Sequence, residues 1–151
     1  MTGDEILLTD EPRPGIVRLT LNRPERLNAL TPVLLDRLAE ELDRLEHESS
    51  ARVVVLTGSG RGFCAGFDLD EMAATWTQGL PDLLASQEGW VAAVERMVGL
   101  TMPVIAAVDG PAVGAGMSLA MAADLRVATP RARFGAAFVR VGLSGADLGL
   151  S

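Results

Sequence analysis

The sequence lacks lysine altogether, and it has only one cysteine and one histidine. Because all 13 basic residues are arginines, catalysis through a Schiff base on a lysine is excluded. The single cysteine, Cys64, rules out an internal disulfide and fits a reducing, cytoplasmic location. The only histidine, His47, lies near the end of a predicted helix, which argues against a Ser-His hydrolase site at Ser118 or Ser144. No His/Cys cluster is present, so we expect no metal site.

Positive charge is also scarce. The net charge of −7 and the pI near 4.6 argue against nucleic-acid binding, which requires a basic surface. Hydrophobic residues make up 48% of the 151 positions, enough for the core of a single domain. The acidic start of the chain does not resemble a signal peptide.

One long apolar run invites a membrane interpretation. The segment from Val104 to Ala123 is apolar over much of its length, but it contains Asp109, Pro111 and three glycines. A lipid-exposed helix tolerates these residues poorly, so we expect no membrane span.

The hydrophobic pattern predicts strands alternating with helices. Residues 1–14 are expected to form a loose lead-in, and residues 15–151 one domain. Thr31 and Pro32 are suited to the start of a helix that continues to about Glu48 with leucines at helical spacing. The other predicted helices are 82–100 and 117–123, and the predicted strands are 16–21, 53–57, 104–108 and 125–128. Such alternation predicts a parallel α/β fold.

Two parts of the chain are similar at a constant offset of 50 residues. The run Val54–Leu56, followed by Gly60, Ala65-Gly66 and Leu69, matches Val104–Ala106 with Gly110, Ala115-Gly116 and Leu119. Either two α/β units with similar turns have converged, or a folded-back pair of units brings its two Ala-Gly turns to one shared site. A helix N-terminus after such a turn has backbone N–H groups without partners and a partial positive charge. Two turns of this kind can direct two N–H groups at one oxygen and form an oxyanion hole.

Three blocks of the sequence together resemble the enoyl-CoA hydratase/isomerase (crotonase) family. They are Leu21–Leu30 (LNRPERLNAL), Val55–Gly58 with Gly62–Leu69 (GFCAGFDL), and Pro103–Gly110 with Gly114–Ala120 and Ala123-Asp124. The resemblance covers about residues 15–151 and implies a crotonase-like (ClpP/crotonase) α/β spiral of ββα units that is incomplete at its C-terminus. It also implies chemistry on an acyl-CoA thioester in fatty-acid or related acyl-CoA metabolism, with an enolate as the intermediate. Coenzyme A would be part of the substrate and no separate cofactor is implied. A chain of the family's full length would form a trimer or hexamer.

The resemblance also assigns roles to individual residues. The oxyanion donors would be the backbone N–H groups of Phe67 and Ala115. Arg23 and Arg26 would lie near the phosphates of coenzyme A, although a solvated surface role stays open for both. The other positions that it places at the substrate are Ala65, Gly66, Asp68, Leu69, Gly114, Gly116, Ser118 and Phe138. Asp68 also has a structural interpretation, because it begins a helical turn with Asp70 and Glu71.

The two glutamates that hydratases of this family use are missing. Ser118 and Phe138 occupy their positions, and neither can act as a carboxylate base. One carboxylate, Asp147, lies in the segment 142–147, which resembles the acid-bearing segment of isomerases in this family. Asp147 is therefore either the catalytic acid/base or a helix N-cap. The resemblance implies an enoyl-CoA hydratase/isomerase family enzyme. A single carboxylate suits a double-bond shift better than hydration, but hydratase and isomerase both stay open. The alternative is a non-catalytic acyl-CoA-binding or interaction protein.

Two further residues have mainly structural interpretations. Asp124 lies between a buried helix and a strand, and we expect its carboxylate to bind backbone. Cys64 is expected to be a small core residue, and its role as a nucleophile is the less favoured interpretation.

Overall fold

A main sheet of five strands forms the frame of the molecule. In the computed structural model, which describes residues 6–48 and 50–137, the strand order is β1-β2-β3-β4-β6. The strands are β1 (Leu7–Arg13), β2 (Ile16–Leu21), β3 (Val53–Gly58), β4 (Val104–Val108), β5 (Pro111–Val113), β6 (Leu125–Ala128) and β7 (Arg133–Gly135). β1 and β2 are antiparallel, whereas β2, β3, β4 and β6 are parallel. The predicted α/β class with parallel strands is therefore confirmed.

The first strand corrects one expectation. Residues 1–14 were expected to be a loose lead-in, but Leu7–Arg13 form β1, which pairs with β2 from Leu7↔Leu21 to Arg13↔Ile16. Only Leu7 of this strand is buried. The strand is therefore held by backbone hydrogen bonds to β2, and its sequence has no hydrophobic alternation that could reveal it.

The first long helix forms where the leucine spacing predicts it. Helix α1 (Pro32–Glu48) follows Thr31, whose Oγ1 accepts a hydrogen bond from the N–H of Leu34 at 3.2 Å. This bond satisfies one of the N–H groups that a helix start leaves unpaired. The buried face of α1 consists of leucines: Leu34, Leu35, Leu38, Leu42 and Leu45.

Two helices occupy the region where the sequence predicted one. The first turn of helix α2 (Leu69–Gln78) was predicted but not its length, and α3 (Leu80–Gly99) begins two residues before the expected start at 82. Between them Gly79 has a φ of 117°, a conformation that favours glycine. Most described residues of α2 are exposed. Its sequence therefore has no apolar periodicity from which the length of the helix could be predicted. α3 packs against the core through the buried side chains of Trp90, Ala93 and Met97.

A second, smaller layer pairs the turns that follow the main strands. β5 and β7 form a parallel two-stranded sheet. Isolated parallel bridges extend this layer, from Cys64 to Ala112 and from Leu30 to Phe67. Helix α4 (Ala115–Ala122) follows β5 directly and begins two residues before its expected start at 117.

The apolar run 104–123 is accounted for by this arrangement. It comprises β4, β5 and α4. Over the part of the chain that the structure describes, no helix combines the length and the apolar character needed to cross a membrane.

Candidate active site

Two glycine-containing turns are in contact at the centre of the candidate site. Gly66 has a φ of 95°, and a Cβ built on it would lie 2.8 Å from the carbonyl oxygen of Val113 and 3.4 Å from the backbone nitrogen of Ala115. A Cβ built on Gly116 would lie 2.2 Å from the carbonyl oxygen of Cys64. The two backbones thus approach so closely that a side chain at either glycine would collide with the other turn.

Two backbone N–H groups at these turns have no acceptor in the part of the chain that the structure describes. Neither Phe67 nor Ala115 donates its backbone N–H to any group within residues 6–48 and 50–137. The neighbouring groups are paired, since Asp68 N–H donates to Leu30 O and Gly114 N–H to Gly135 O, both at 2.8 Å. Ala115 is also the first residue of α4, where the helix dipole adds partial positive charge. Among the described residues, these two N–H groups are thus left without a hydrogen-bond partner.

The internal similarity changes register between the two layers. In the main sheet Val54 pairs with Val104, as the offset of 50 predicts. In the second layer Cys64 pairs with Ala112, an offset of 48. Gly66 therefore corresponds to Gly114, which also has a positive φ of 53°, and not to the helical Gly116.

This change of register corrects the expectation that the Ala65-Gly66 and Ala115-Gly116 turns are equivalent. The N–H groups that correspond at the offset of 48 are those of Phe67 and Ala115. The offset changes because the connection from β4 to Ala112 is two residues shorter than the connection from β3 to its partner Cys64. The sequence similarity at a constant offset of 50 does not show this difference.

Asp68 joins the first turn to two arginines. Arg23 donates to Asp68 Oδ2 at 3.0 Å and to Ala29 O at 2.6 Å, while Arg26 donates to Asp68 Oδ1 at 3.1 Å and to Asp70. Asp68 is the N-cap of α2, accepting from the N–H of Asp70. Burial alone would raise its pKa, but the hydrogen bonds from Arg26, Arg23 and Asp70 N–H outweigh it and lower the pKa. The carboxylate of Asp68 is thus engaged in protein contacts.

A surface groove runs past these arginines. It is lined by Glu25, Arg26, Leu27, Ala29, Arg61, Ala65, Phe67, Asp68, Leu69 and Asp70. Arg26 and Leu69, both expected at the substrate, therefore belong to it, whereas Arg23 does not line it. Arg61 was not singled out from the sequence; its guanidinium has no partner among the described residues.

Asn28 is a second residue whose role the sequence did not reveal. It is fully buried with a φ of 57°. Its amide donates to Ser59 O at 2.9 Å and to Gly62 O at 2.8 Å, and its Oδ1 accepts from Arg23 N–H at 2.9 Å. Asparagine tolerates this left-handed conformation and supplies both donor and acceptor. Asn28 therefore fastens the segment that carries the arginines to the turn after β3.

Ser118 lies in α4, about one turn after Ala115. It is buried, and its hydroxyl donates to Gly114 O at 3.4 Å. No ionisable group thus occupies this position. The other two expected residues, Phe138 and Asp147, lie outside the described residues.

Three structural interpretations are confirmed. Cys64 is fully buried, and burial raises the pKa of its thiol to about 12. Asp124 accepts a hydrogen bond from the backbone N–H of Val104 at 2.8 Å. His47 is exposed near the end of α1, where its ring contacts the carbonyl oxygen of Asp43.

A cavity opens beside Phe67, between α1, α2 and α3. Its apolar wall consists of Leu30, Pro32, Leu35, Phe67 and Met72. Its polar wall consists of Asp68, Glu71, Thr75, Ser86 and Gln87. The ring of Phe67 meets that of Trp90 edge to face, with centroids 5.3 Å apart. Among the residues that the structure describes, no group of three or more His, Cys, Asp or Glu side chains could hold a metal ion.

The chain is similar in sequence and in structure to proteins of one known family. Residues 11–150 match the family model described as "Enoyl-CoA hydratase/isomerase". A probable enoyl-CoA hydratase of Mycobacterium leprae is 45% identical over 97% of this chain and 51% of its own length. The 1,2-epoxyphenylacetyl-CoA isomerase of Escherichia coli K12 is 45% identical over 85% of this chain and 50% of its own length. A crystal structure of an enoyl-CoA hydratase from Polaromonas sp. JS666 superposes with a TM-score of 0.86 at 37% identity, covering 91% of this chain and 53% of that one. The chain thus spans about half the length of the curated relatives it matches.

Proposed function

Because this chain belongs to the enoyl-CoA hydratase/isomerase family, we propose that it binds an acyl-CoA thioester and stabilises the enolate formed from it. The thioester oxygen would accept hydrogen bonds from the backbone N–H groups of Phe67 and Ala115. The chain covers about half of its curated relatives, so this proposal concerns the activity of the protein to which these residues contribute.

One observation carries the proposal. Two backbone N–H groups, on turns in contact with each other, have no acceptor among the described residues. Leaving buried or partly buried donors unpaired is unfavourable, and native structures rarely do so without a function. Ala115 is buried and Phe67 lines a cavity, so an oxygen that reaches them leaves bulk water.

The chemistry follows from where negative charge develops. When a base removes a proton next to a thioester, the electron pair moves onto the carbonyl oxygen. Fixed N–H donors that bind this oxygen more strongly as its charge grows stabilise the enolate selectively, worth about 10²–10³ in rate per donor. The N-terminus of α4 adds partial positive charge at Ala115.

A double-bond shift fits the remaining side chains better than hydration. Hydration in this family requires two carboxylates, and the first of these positions holds Ser118, whose hydroxyl donates to Gly114 O. A single carboxylate suffices for isomerisation, since it can take a proton from one carbon and return it to another. We assign this role to Asp147, which lies outside the described residues.

Coenzyme A would lie along the groove that Arg26 and Arg61 line. Two guanidinium groups at its rim suit the phosphates of coenzyme A. Arg23, which is held by Ala29 O and Asp68, would keep Asp68 and hence Arg26 in position. This refines the expectation that both Arg23 and Arg26 lie at the phosphates.

The proposal is tested by binding and turnover together. We expect calorimetry to show that the chain binds an acyl-CoA more tightly than the corresponding free acid, because the free acid lacks both the thioester and the phosphates. Equal affinity for the two would refute the proposal. Turnover of enoyl-CoAs should fall about 10²–10⁴-fold in Asp147→Asn with binding retained, since an amide accepts hydrogen bonds but no proton at neutral pH. Asp10→Asn, on the exposed strand β1, is the matched control.

A second candidate function is a non-catalytic acyl-CoA-binding protein. The specific observation that favours it is Ser118, a buried hydroxyl where the family's hydratases place a carboxylate. Acyl-CoA binding without turnover of any enoyl-CoA would establish this alternative and would exclude the enzymatic role.

A further inference from the structure

The cavity beside Phe67 has acidic side chains in its wall. It continues into a second, more open cavity, and the two share Pro32, Leu35, Thr75 and Ser86. The outer cavity adds the carboxylates of Asp36 and Asp82, and the inner one contains Glu71. A passage therefore leads from Phe67 to the surface between α1, α2 and α3, with acidic groups along it.

The three carboxylates along this passage belong to exposed residues and have no partner among the residues that the structure describes. Glu71, Asp36 and Asp82 form no hydrogen bond or ion pair through their carboxylates with any described residue. Asp68, by contrast, is bound by Arg23 and Arg26. No arginine lines either cavity over residues 6–48 and 50–137, and the chain has no lysine.

The neutral polar side chains complete the pattern. Thr75, Ser86 and Gln87 are half-buried on the same wall as Glu71. Thr75 Oγ1 donates to the carbonyl oxygen of Glu71 at 3.0 Å, so it keeps capacity to accept. The wall therefore offers the negative charge of Glu71 and neutral hydrogen-bonding groups to whatever enters between it and the apolar side.

We propose that this passage receives the far end of the acyl group and selects acyl groups with a terminal hydroxyl over those with a terminal carboxylate. The inference rests on the proposed function, because it takes the thioester to be bound at Phe67 and Ala115. The apolar wall of Leu30, Leu35 and Met72 contacts the methylene chain, and the hydroxyl donates to Glu71. A terminal carboxylate meets the carboxylate of Glu71, while the guanidinium groups that reach this wall, those of Arg23 and Arg26, are bound by Asp68.

Three acyl-CoAs of equal chain length test the proposal by calorimetry on the 151-residue chain: hexanoyl-CoA, 6-hydroxyhexanoyl-CoA and adipoyl-CoA. A like-charge contact at about 4 Å in water costs about a factor of five in affinity, so we expect adipoyl-CoA to bind about fivefold or more weakly than hexanoyl-CoA. One hydrogen bond from the hydroxyl should make 6-hydroxyhexanoyl-CoA bind about three- to tenfold more tightly than hexanoyl-CoA.

Two charge-matched variants locate the effect. Glu71→Gln should reduce the penalty on adipoyl-CoA about fivefold and leave the affinity for hexanoyl-CoA unchanged. Glu95→Gln removes the same charge from α3 at an exposed position that lines neither cavity, and it should leave all three affinities unchanged. Retained hexanoyl-CoA binding shows that each variant is folded.

The outcomes distinguish a failure of the proposed function from a failure of the inference about this passage. If hexanoyl-CoA does not bind, the proposed function fails and the present inference fails with it. If hexanoyl-CoA binds but adipoyl-CoA binds as tightly, or 6-hydroxyhexanoyl-CoA binds no more tightly, only the inference is overturned. An equal response of Glu71→Gln and Glu95→Gln would overturn the assignment to this passage.

Discussion

Gly116 offers the sharpest test of the contact between the two turns. A Cβ at this position would lie 2.2 Å from Cys64 O and 2.8 Å from both the carbonyl carbon and the Cβ of Cys64. A normal carbon–oxygen contact is about 1 Å longer, so Gly116→Ala must separate two packed backbones. Overpacking of a well-packed interior typically costs about 1–3 kcal/mol. Because two of the three obstructing atoms are backbone, no rotamer change can relieve the clash.

A second helical glycine provides the control. Gly89 lies in α3, and a Cβ built on it would meet nothing within 4 Å. Gly89→Ala should therefore stabilise the protein by about 0.5–1 kcal/mol through helix propensity alone. The same propensity gain accompanies Gly116→Ala, so the net loss there is the clash minus this gain. The two variants are expected to shift stability in opposite directions.

Urea unfolding with acyl-CoA calorimetry measures both effects. A change of 1 kcal/mol corresponds to about 2–4 °C in Tm for a chain of this size, so thermal unfolding also resolves the difference. We expect Gly116→Ala to weaken acyl-CoA binding as well, because the displaced Cys64 lies three residues from Phe67. A Gly116→Ala protein with unchanged stability and affinity would refute the close approach of the two turns.

Three further outcomes are expected. Cys64, with its pKa raised by burial to about 12, should resist alkylation by iodoacetamide at pH 8 in the folded protein and react fully in denaturant, as mass spectrometry would show; rapid labelling of the native protein would contradict its burial. Asn28→Asp should lower the free energy of unfolding by about 2–4 kcal/mol, because a carboxylate would replace the amide that donates to Ser59 O and Gly62 O; a urea midpoint equal to wild type would contradict these contacts. The pKa of Asp68 is lowered in the folded protein, so the carboxylate stabilises the fold fully above its pKa in the unfolded chain, about 3.9, and loses this effect as the pH falls below that value. The free energy of unfolding should therefore fall less steeply with decreasing pH in Asp68→Asn than in the wild type; identical pH profiles would contradict this expectation.

The sequence predicted the regular parts of the fold because each carries a hydrophobic period. The leucines of α1 and the β-branched run of β3 are examples, and both elements form where expected. β1 was missed, and α2 was predicted only at its first turn, because neither element buries a periodic face. β1 is held by hydrogen bonds to β2, and α2 is held at its start by the capping carboxylate of Asp68. These contacts are local, but they depend on the backbone and on one capping side chain, so they leave no hydrophobic period in the sequence.

The candidate site was predicted through a resemblance to three sequence blocks, and the geometry adds what those blocks leave out. Asn28 lies within the first block, yet its role depends on carbonyl oxygens more than 30 residues away. The charge of the passage beside Phe67 likewise depends on three helices that only the fold brings together. Glu71 was interpreted as an acid at a helix start; its position in a cavity wall could not be read from spacing.

The proposed donors explain why glycines carry the sequence signal at this site. Both donors are main-chain atoms, so the chemistry itself places no demand on the side chains of residues 67 and 115. The conformational and steric requirements apply instead to the glycines beside them. Gly66 and Gly114 must adopt a positive φ, and Gly116 must leave room for Cys64 O. The side chain of Phe67 is then available for a different purpose, and here it packs against Trp90 and forms part of the cavity wall. Under the proposed function, residue 67 thus combines a donor fixed by the fold with a side chain that shapes the acyl pocket. We therefore expect that specificity can change at this position without loss of the oxyanion contact.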